Sequence, residues 1–184
     1  TGLLAYISKK EGELRQLERR VLQATPMFAM LKADQRQLTK VRFYEGFEGM
    51  KGVYQEIKAD LKAGGRKEMV TYWPTEALEK AIPDFFESGR FVDMPGFIKR
   101  DIFYDCPATA KYIEAYKKGP TTHSYRLWPH DKGEFPTDVV VWGSKVSFTD
   151  VRGAPAGIVI DNQSVADSMR MWFDMIWTSL PEPK

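Results

Sequence analysis

The chain has 184 residues, the size of one domain with a short appendage, and it is 43% hydrophobic and 13% aromatic, which is enough for a core. Its 27 basic and 25 acidic residues leave a net charge of +2, which argues against a domain that holds nucleic acid or anionic membrane through bulk charge. The single cysteine, Cys106, excludes an intrachain disulfide and a cysteine-based zinc cluster, and no apolar run reaches the about 18 residues of a membrane span.

The first segment has the pattern of a coiled coil. Ile7, Leu14 and Val21 recur every seven residues, and Leu17 lies at the other seam position. Apolar residues at both seam positions predict a helix that pairs with a second copy of the chain through these four side chains. An amphipathic helix lying on its own domain would show the same pattern, and that alternative stays open.

A polar run at residues 34–37 divides this helical dimerisation arm, residues 1–35, from a body at residues 36–184. The spacing of apolar residues first predicts strands at 41–44, 69–73 and 97–104, each followed by a helix, at 47–61, at 75–88 and from Pro107. A strand at 124–128, a hairpin at 139–149 and a strand at 158–160 are predicted next. The last predicted element is a helix capped by Asp161 or Asn162. The strand at 158–160 is fully apolar, which predicts burial on both faces. Strands that alternate with helices predict an α/β fold with a mixed, mostly parallel sheet between helical layers.

Patterns that would indicate catalysis are broken or missing. A serine or cysteine nucleophile needs a histidine base, and His123 and His130 are the two histidines; no GxSxG elbow or phosphate-binding loop accompanies them. The tripeptide HDK at 130–132 begins the HxKxxxxD motif of phospholipase D-type phosphodiesterases, but Thr137 stands where the motif requires Asp, and Asp138 comes one residue late. No second copy supplies the partner that attack and protonation require. We therefore expect no enzyme, no metal site and no cofactor.

Several segments resemble TrmB-like (sugar-type) transcriptional regulators: residues 3–11, 41–46, 50–54, 142–146 and 157–177. The resemblance implies a winged-helix DNA-binding domain upstream of Thr1, a helical linker that pairs two subunits, and an effector domain. It also implies that this domain has a phospholipase D-like fold without the catalytic pairs. The chain does not begin with Met, and we expect it to be a fragment of a longer protein.

Open α/β sheets bind ligands at the C-terminal ends of their strands, which makes Glu45, Trp73, Arg126 and Asp161 the candidate ligand-binding residues. Glu45 would accept from hydroxyl groups, Trp73 would stack and Arg126 would pair with an anion. The predicted function is the effector-sensing and dimerisation region of a cytoplasmic TrmB-like regulator. Its expected partners are a second copy, a small-molecule effector, and DNA through the upstream domain alone, with no membrane. A degenerate phosphodiesterase around His130 and a ligand-free scaffold are the alternatives.

Overall fold

A computed structural model describes residues 39–64, 68–81, 96–117 and 122–183. Within these residues the elements are, in chain order, β1 (Lys40–Glu45), α1 (Gly46–Ala63), β2 (Glu68–Trp73), α2 (Thr75–Ala81), β3 (Ile98–Tyr104), α3 (Pro107–Tyr116), β4 (Thr122–Trp128), a 3-10 turn (His130–Lys132), β5 (Asp138–Trp142), β6 (Lys145–Asp150), β7 (Ala156–Asp161) and α4 (Gln163–Ser179). The strands and helices predicted from apolar spacing are therefore present wherever the structure describes the chain.

The strands form one sheet in the order β1-β7-β6-β5-β2-β3-β4. The prediction of a mostly parallel sheet is wrong, because only β2–β3 and β3–β4 are parallel among the described strands. The pairs β1–β7, β7–β6, β6–β5 and β5–β2 are antiparallel. The links between β5, β6 and β7 are far shorter than the dozen or so residues that a parallel crossover needs, which forces these strands to reverse direction.

Helices cover both faces of the sheet, as predicted. Residues of α1 and α2, such as Ile57 and Leu78, share one buried cluster with Trp73 and Phe103 of the strands. Phe173 of α4 belongs to a second cluster on the opposite face. We call these the inner face, covered by α1 and α2, and the outer face, covered by α4. Because side chains alternate along a strand, every second residue of β2, β3 and β4 belongs to each face.

A close contact with a strand positions helix α1, and a capping residue fixes the start of helix α4. A Cβ atom at Gly157 of β7 would lie 2.7 Å from Val53 Cγ2, so a larger residue there would force Val53 of α1 to shift. Asn162 caps α4 by accepting a hydrogen bond from the backbone of Val165, which confirms one of the two caps predicted.

Burial of β7 differs from its prediction. Val159 is fully buried, but Ile158 and Ile160 on the outer face are only partly buried. They pair with Phe43 and Val41 of the edge strand β1, which are 73% and 46% exposed, so the cover over this end of the outer face is incomplete.

The predicted arm, with Ile7, Leu14, Leu17 and Val21, and the boundary after residue 35 lie outside the described residues, and they stay predictions. Within the described part, no helix has the length and apolar character needed to span a membrane.

Candidate functional site

Two charged side chains and a histidine are buried on the inner face of β3 and β4, in the parallel part of the sheet. Lys99 and Asp101 are alternate residues of β3, and His123 of β4 is the register partner of Lys99. Lys99 and Asp101 are completely buried, and the His123 side chain is 8% exposed. We call these three residues, with Thr71 and Trp73 of β2, the buried charge network.

Asp101 is the centre of the network. Its Oδ2 atom lies 3.0 Å from Lys99 Nζ and 2.6 Å from His123 Nε2. Its Oδ1 atom accepts hydrogen bonds from the Trp73 indole, at 2.9 Å, and from the Thr71 hydroxyl. Both carboxylate oxygens are thus satisfied, as a buried charge requires.

These partners fix the protonation of Asp101. Burial alone would raise its pKa, but the charge of Lys99 and the hydrogen bond from His123 outweigh burial and lower the pKa to about 2. An ionised carboxylate only accepts hydrogen bonds, so Nε2 of His123 is the donor to Asp101. The ring lies near the aromatic side chains of Phe103 and Tyr125, with centroids 6.0 Å away in each case.

A second buried carboxylate, Asp138 of β5, belongs to the same face. Its Oδ2 atom accepts a hydrogen bond from the Tyr54 hydroxyl of α1 at 2.8 Å, and Oδ1 has no partner among the described residues. Burial raises the pKa of Asp138 to about 7, while the Tyr54 hydrogen bond and the charge of Lys99 act in the opposite direction.

Of the four predicted ligand residues, Glu45 and Asp161 lie on the neighbouring strands β1 and β7, at opposite ends of this antiparallel pair. Glu45 ends β1 and pairs with Ala156 at the start of β7, whereas Asp161 ends β7 beside the start of β1. Asp161 accepts a hydrogen bond from Ser144 Oγ at 2.6 Å, next to a cleft of about 240 Å³ that Ser144 lines. Antiparallel pairing separates these two strand ends, which the sequence analysis had placed at one edge.

Trp73 and Arg126 lie on opposite faces of the sheet. Trp73 is buried in the charge network, and Arg126 belongs to the outer face, where its guanidinium stacks 4.6 Å from the centre of the Trp177 ring and pairs with Glu182 at 3.0 Å. The structure therefore does not bring the four candidates together, and ligand contact stays a prediction for each of them.

The HDK tripeptide is not part of a strand. His130 lies in the exposed 3-10 turn, where its ring stacks on Tyr104 at 5.2 Å and Nδ1 lies 3.3 Å from the backbone oxygen of Asp105. Asp138, which nearly completes the motif in sequence, is buried at the start of β5. Over the described residues, no three histidine, cysteine or acidic side chains form a group that could hold a metal ion.

Sequence reasoning missed Lys99, Asp101 and the role of His123. The signal was present in the strand Ile98–Tyr104, because Lys99 and Asp101 are two residues apart and must share a face. Two opposite charges on one face of a strand between apolar neighbours indicate a buried pair when helices cover that face.

Comparison with known proteins identifies the fold. No family model and no curated protein match the chain. Among solved structures, it matches TrmBL2, an archaeal chromatin protein, at 15% identity, covering 98% of this chain and 70% of that one with a TM-score of 0.48. NucT from Helicobacter pylori matches at 9% identity, over 79% of this chain and 100% of NucT, with a TM-score of 0.49. Nuc from Salmonella typhimurium, a phospholipase D family member, matches at 11% identity, over 80% of this chain and 99% of Nuc, with a TM-score of 0.51.

The body has a phospholipase D-like fold. The match to Nuc carries this conclusion and confirms that part of the predicted fold class. The same match contradicts the prediction that the chain is not an enzyme, because Nuc, which shares its fold, is a member of the phospholipase D family. A broken HxKxxxxD motif is therefore insufficient to exclude catalysis. Membership of the TrmB-like family stays a prediction, since no family model matches.

Proposed function

We infer that this chain is the effector-sensing and dimerisation region of a TrmB-like transcription regulator. The observation that carries the proposal is that the resembling segments within the described residues, although far apart in the chain, are neighbours in the fold. Residues 41–46 include β1, which pairs with β7 in the closing segment, and β7 pairs with β6 of the hairpin. The helix segment 50–54 contacts the same strand through Val53 and Gly157.

This adjacency supports the proposal because the resembling segments then pack together as one part of the fold. Chance similarity in short apolar segments has no reason to select strands that are hydrogen-bonded to one another. The unit comprises the antiparallel half of the sheet with α1 and α4, and the parallel half, with the buried charge network, joins it at β5 and β2.

DNA binding by the full-length protein tests the regulator role. The resemblance implies a winged helix upstream of Thr1, so the full-length protein should select a defined operator from a random DNA library. Residues 1–184 alone, with a net charge of +2, should select none. A full-length protein that retains no sequence from the library would overturn the proposal.

A thermal-shift screen of residues 1–184 tests effector sensing. Sugars, nucleotides and phosphorylated metabolites should include a compound that raises the melting temperature, since a ligand at 100 times its Kd stabilises the folded state by about 2.7 kcal/mol. The same compound should change the operator affinity of the full-length protein. If no compound does both, the chain is a scaffold without an effector, and the sensing part of the proposal is wrong.

Light scattering tests dimerisation through the arm. Leu17→Glu with Val21→Glu should convert a dimer into a monomer, because both positions lie on the predicted seam. The matched control is Gln16→Glu with Gln23→Glu, which adds the same charge at positions away from the seam and should leave the mass unchanged. Equal masses for the two double variants would remove the arm from the interface.

As a DNA-bound regulator, the protein would work in the cytoplasm.

A phosphodiesterase is the second candidate, favoured by the fold shared with Nuc and by the contact between Asp101 and His123. A carboxylate that orients a histidine in one tautomer is a common arrangement in general acid–base catalysis. Hydrolysis of bis(p-nitrophenyl) phosphate should then be lost in His123→Gln and retained in His130→Gln. Equal rates for both variants and for the wild type would assign the activity to a contaminant and reject this candidate.

A further inference from the structure

Two arginines on the outer face lie around one tryptophan. The guanidinium carbons of Arg126 and Arg100 are 4.6 Å and 5.8 Å from the centre of the Trp177 ring. Arg126 pairs in register with Ile102 on the neighbouring strand, which places it diagonally from Arg100 on the same face. The indole therefore holds both cations in place through cation–π contacts.

The two arginines differ in their partners. Arg100 pairs with Glu68 of β2 at 3.0 Å and with Asp174 of α4 at 2.7 Å, so two regular elements hold it. Arg126 pairs only with Glu182 among described acidic groups, and that residue lies beyond the end of α4 with a side chain that is 86% exposed. An exposed ion pair of this kind contributes little stability, so the partner of Arg126 is replaceable.

The hydrogen bonds of Arg126 leave one buried donor without a partner among the described residues. Nη1 donates to the backbone oxygen of Tyr125 at 3.2 Å, and Nη2 donates to Glu182 Oε1 at 3.0 Å. Nε is buried and has no partner among the described residues. Nε and Nη2 form the edge of a guanidinium that receives two oxygens of a carboxylate or phosphate side by side, and here that edge is half occupied.

We propose that the Nε–Nη2 edge of Arg126 binds a small-molecule oxyanion, a carboxylate or a phosphate, in competition with Glu182. The Glu182 carboxylate contacts Nη2 with one oxygen, whereas a ligand that is not attached to the chain places its two oxygens on Nε and Nη2 together once Glu182 has left. The gain is larger because the second donor is buried, where an unmade hydrogen bond is costly. Binding displaces Glu182 and frees the segment 181–183 from the outer face. This inference deepens the proposed effector-sensing function and rests on it for its biological role, but the binding itself does not depend on DNA.

Arginine side-chain NMR on residues 1–184 tests the site directly. Titration with inorganic phosphate, and separately with succinate, at constant ionic strength should shift the Nε–H resonance of Arg126 and saturate. At saturation the backbone amide of Glu182 should gain motion in the heteronuclear NOE. Saturation by phosphate alone identifies a phosphorylated ligand, and saturation by succinate alone identifies a carboxylate; either outcome supports the proposal.

Variants separate competition from a general charge effect. Glu182→Gln removes the competing carboxylate and should tighten binding by about two- to fivefold, since an exposed pair contributes little. Glu48→Gln is the matched control, because Glu48 is 84% exposed and pairs with Lys51. It should leave the affinity unchanged. Arg126→Lys keeps the charge but loses the two-donor edge and should weaken binding by about tenfold or more.

The absence of a saturable shift in both the wild type and Glu182→Gln would overturn the proposal. Equal tightening by Glu182→Gln and Glu48→Gln would also overturn it, because the effect would then follow net charge. These failures are distinguishable from failure of the proposed function: a full-length protein that binds an operator and responds to a neutral effector keeps its regulator role without this site.

Discussion

The parallel and antiparallel halves of the sheet each bury one aspartate on the inner face, and the pKa values of the two carboxyl groups shift in opposite directions. Asp101, in the parallel half, has its pKa lowered to about 2, while Asp138, in the antiparallel half, has its pKa raised to about 7. Both side chains are completely inaccessible to solvent. Burial is therefore common to both, and the partners make the difference: Asp101 contacts Lys99 and His123, whereas Asp138 accepts a hydrogen bond from a neutral tyrosine.

Removing the charge of Asp101 should have the largest effect. Asp101→Asn removes the carboxylate that lies 3.0 Å from the buried Lys99 ammonium, and we expect the free energy of unfolding to fall by roughly 3–5 kcal/mol at pH 7, measured by urea denaturation. Lys99→Met in the same chain should restore part of the loss, because the buried ion pair is then removed as a whole. A double variant as unstable as the sum of the two single variants would show that Lys99 and Asp101 are not coupled.

Asp138 should show the opposite dependence on pH. Its folded-state pKa is raised, so the folded protein binds a proton that the unfolded chain has released, and stability falls as pH rises from about 4 to about 7. Asp138→Asn removes this loss. Its free energy of unfolding, relative to the wild type, should rise over that window by about 2–4 kcal/mol. A constant difference between wild type and variant across the same denaturation series would place the pKa of Asp138 at its ordinary value.

Asp101 should make the protein less stable as the pH falls, which is the reverse of the effect of Asp138. Its lowered pKa means that the unfolded chain binds a proton before the folded protein does, so the stabilisation is present above about pH 4 and lost as pH falls to about 2. Between those values, the stability advantage of the wild type over Asp101→Asn should shrink by about 2 kcal/mol in urea denaturation. An advantage that stays the same down to pH 2 would contradict the charge network.

The smallest effect concerns the hydroxyl that contacts Asp138. Tyr54→Phe removes this donor, and we expect a loss of about 1–2 kcal/mol in the free energy of unfolding. The pKa of Asp138 should rise further, since the Tyr54 hydrogen bond lowers it. Lys51→Met, which breaks an exposed pair with Glu48 on the same helix, is the control and should change stability by at most about 0.5 kcal/mol. Similar losses for both variants would assign the Tyr54 effect to α1 as a whole.

Apolar spacing was sufficient to locate the elements of the body, and turn chemistry was sufficient for the hairpin at Gly143 and the cap at Asn162, because these depend on neighbouring residues. Strand order and direction depend on contacts between distant segments. The pairing of β1 with β7, at opposite ends of the described chain, has no local signature. Glu45 and Asp161 were separated for the same reason, because strand ends meet at one end of a sheet only when the strands are parallel. Trp73 and Arg126 lie near the C-terminal ends of parallel strands, and the alternation of side chains places them on opposite faces.

The buried charge network was missed because its members were considered one at a time. His123 by itself is an ordinary packing histidine, and Lys99 in a strand is an ordinary surface residue. What makes them a network is the register of β3 with β4, which sets Lys99 opposite His123, and the alternation that returns Asp101 to the same face. The register of the strands and the packing of helices over them depend on several segments, so they cannot be predicted from any single one.

Side chains from three adjacent strands contact the Asp101 carboxylate, and this limits which substitutions evolution can accept at these positions. A change at position 101 removes a buried counter-charge of Lys99, and a change at position 99 leaves the buried Asp101 carboxylate with less compensation, so each substitution alone is costly. Descendants of a common ancestor should therefore exchange Lys99 and Asp101 in concert, with His123 following, and lineages with apolar residues at both strand positions should be far commoner than lineages with only one.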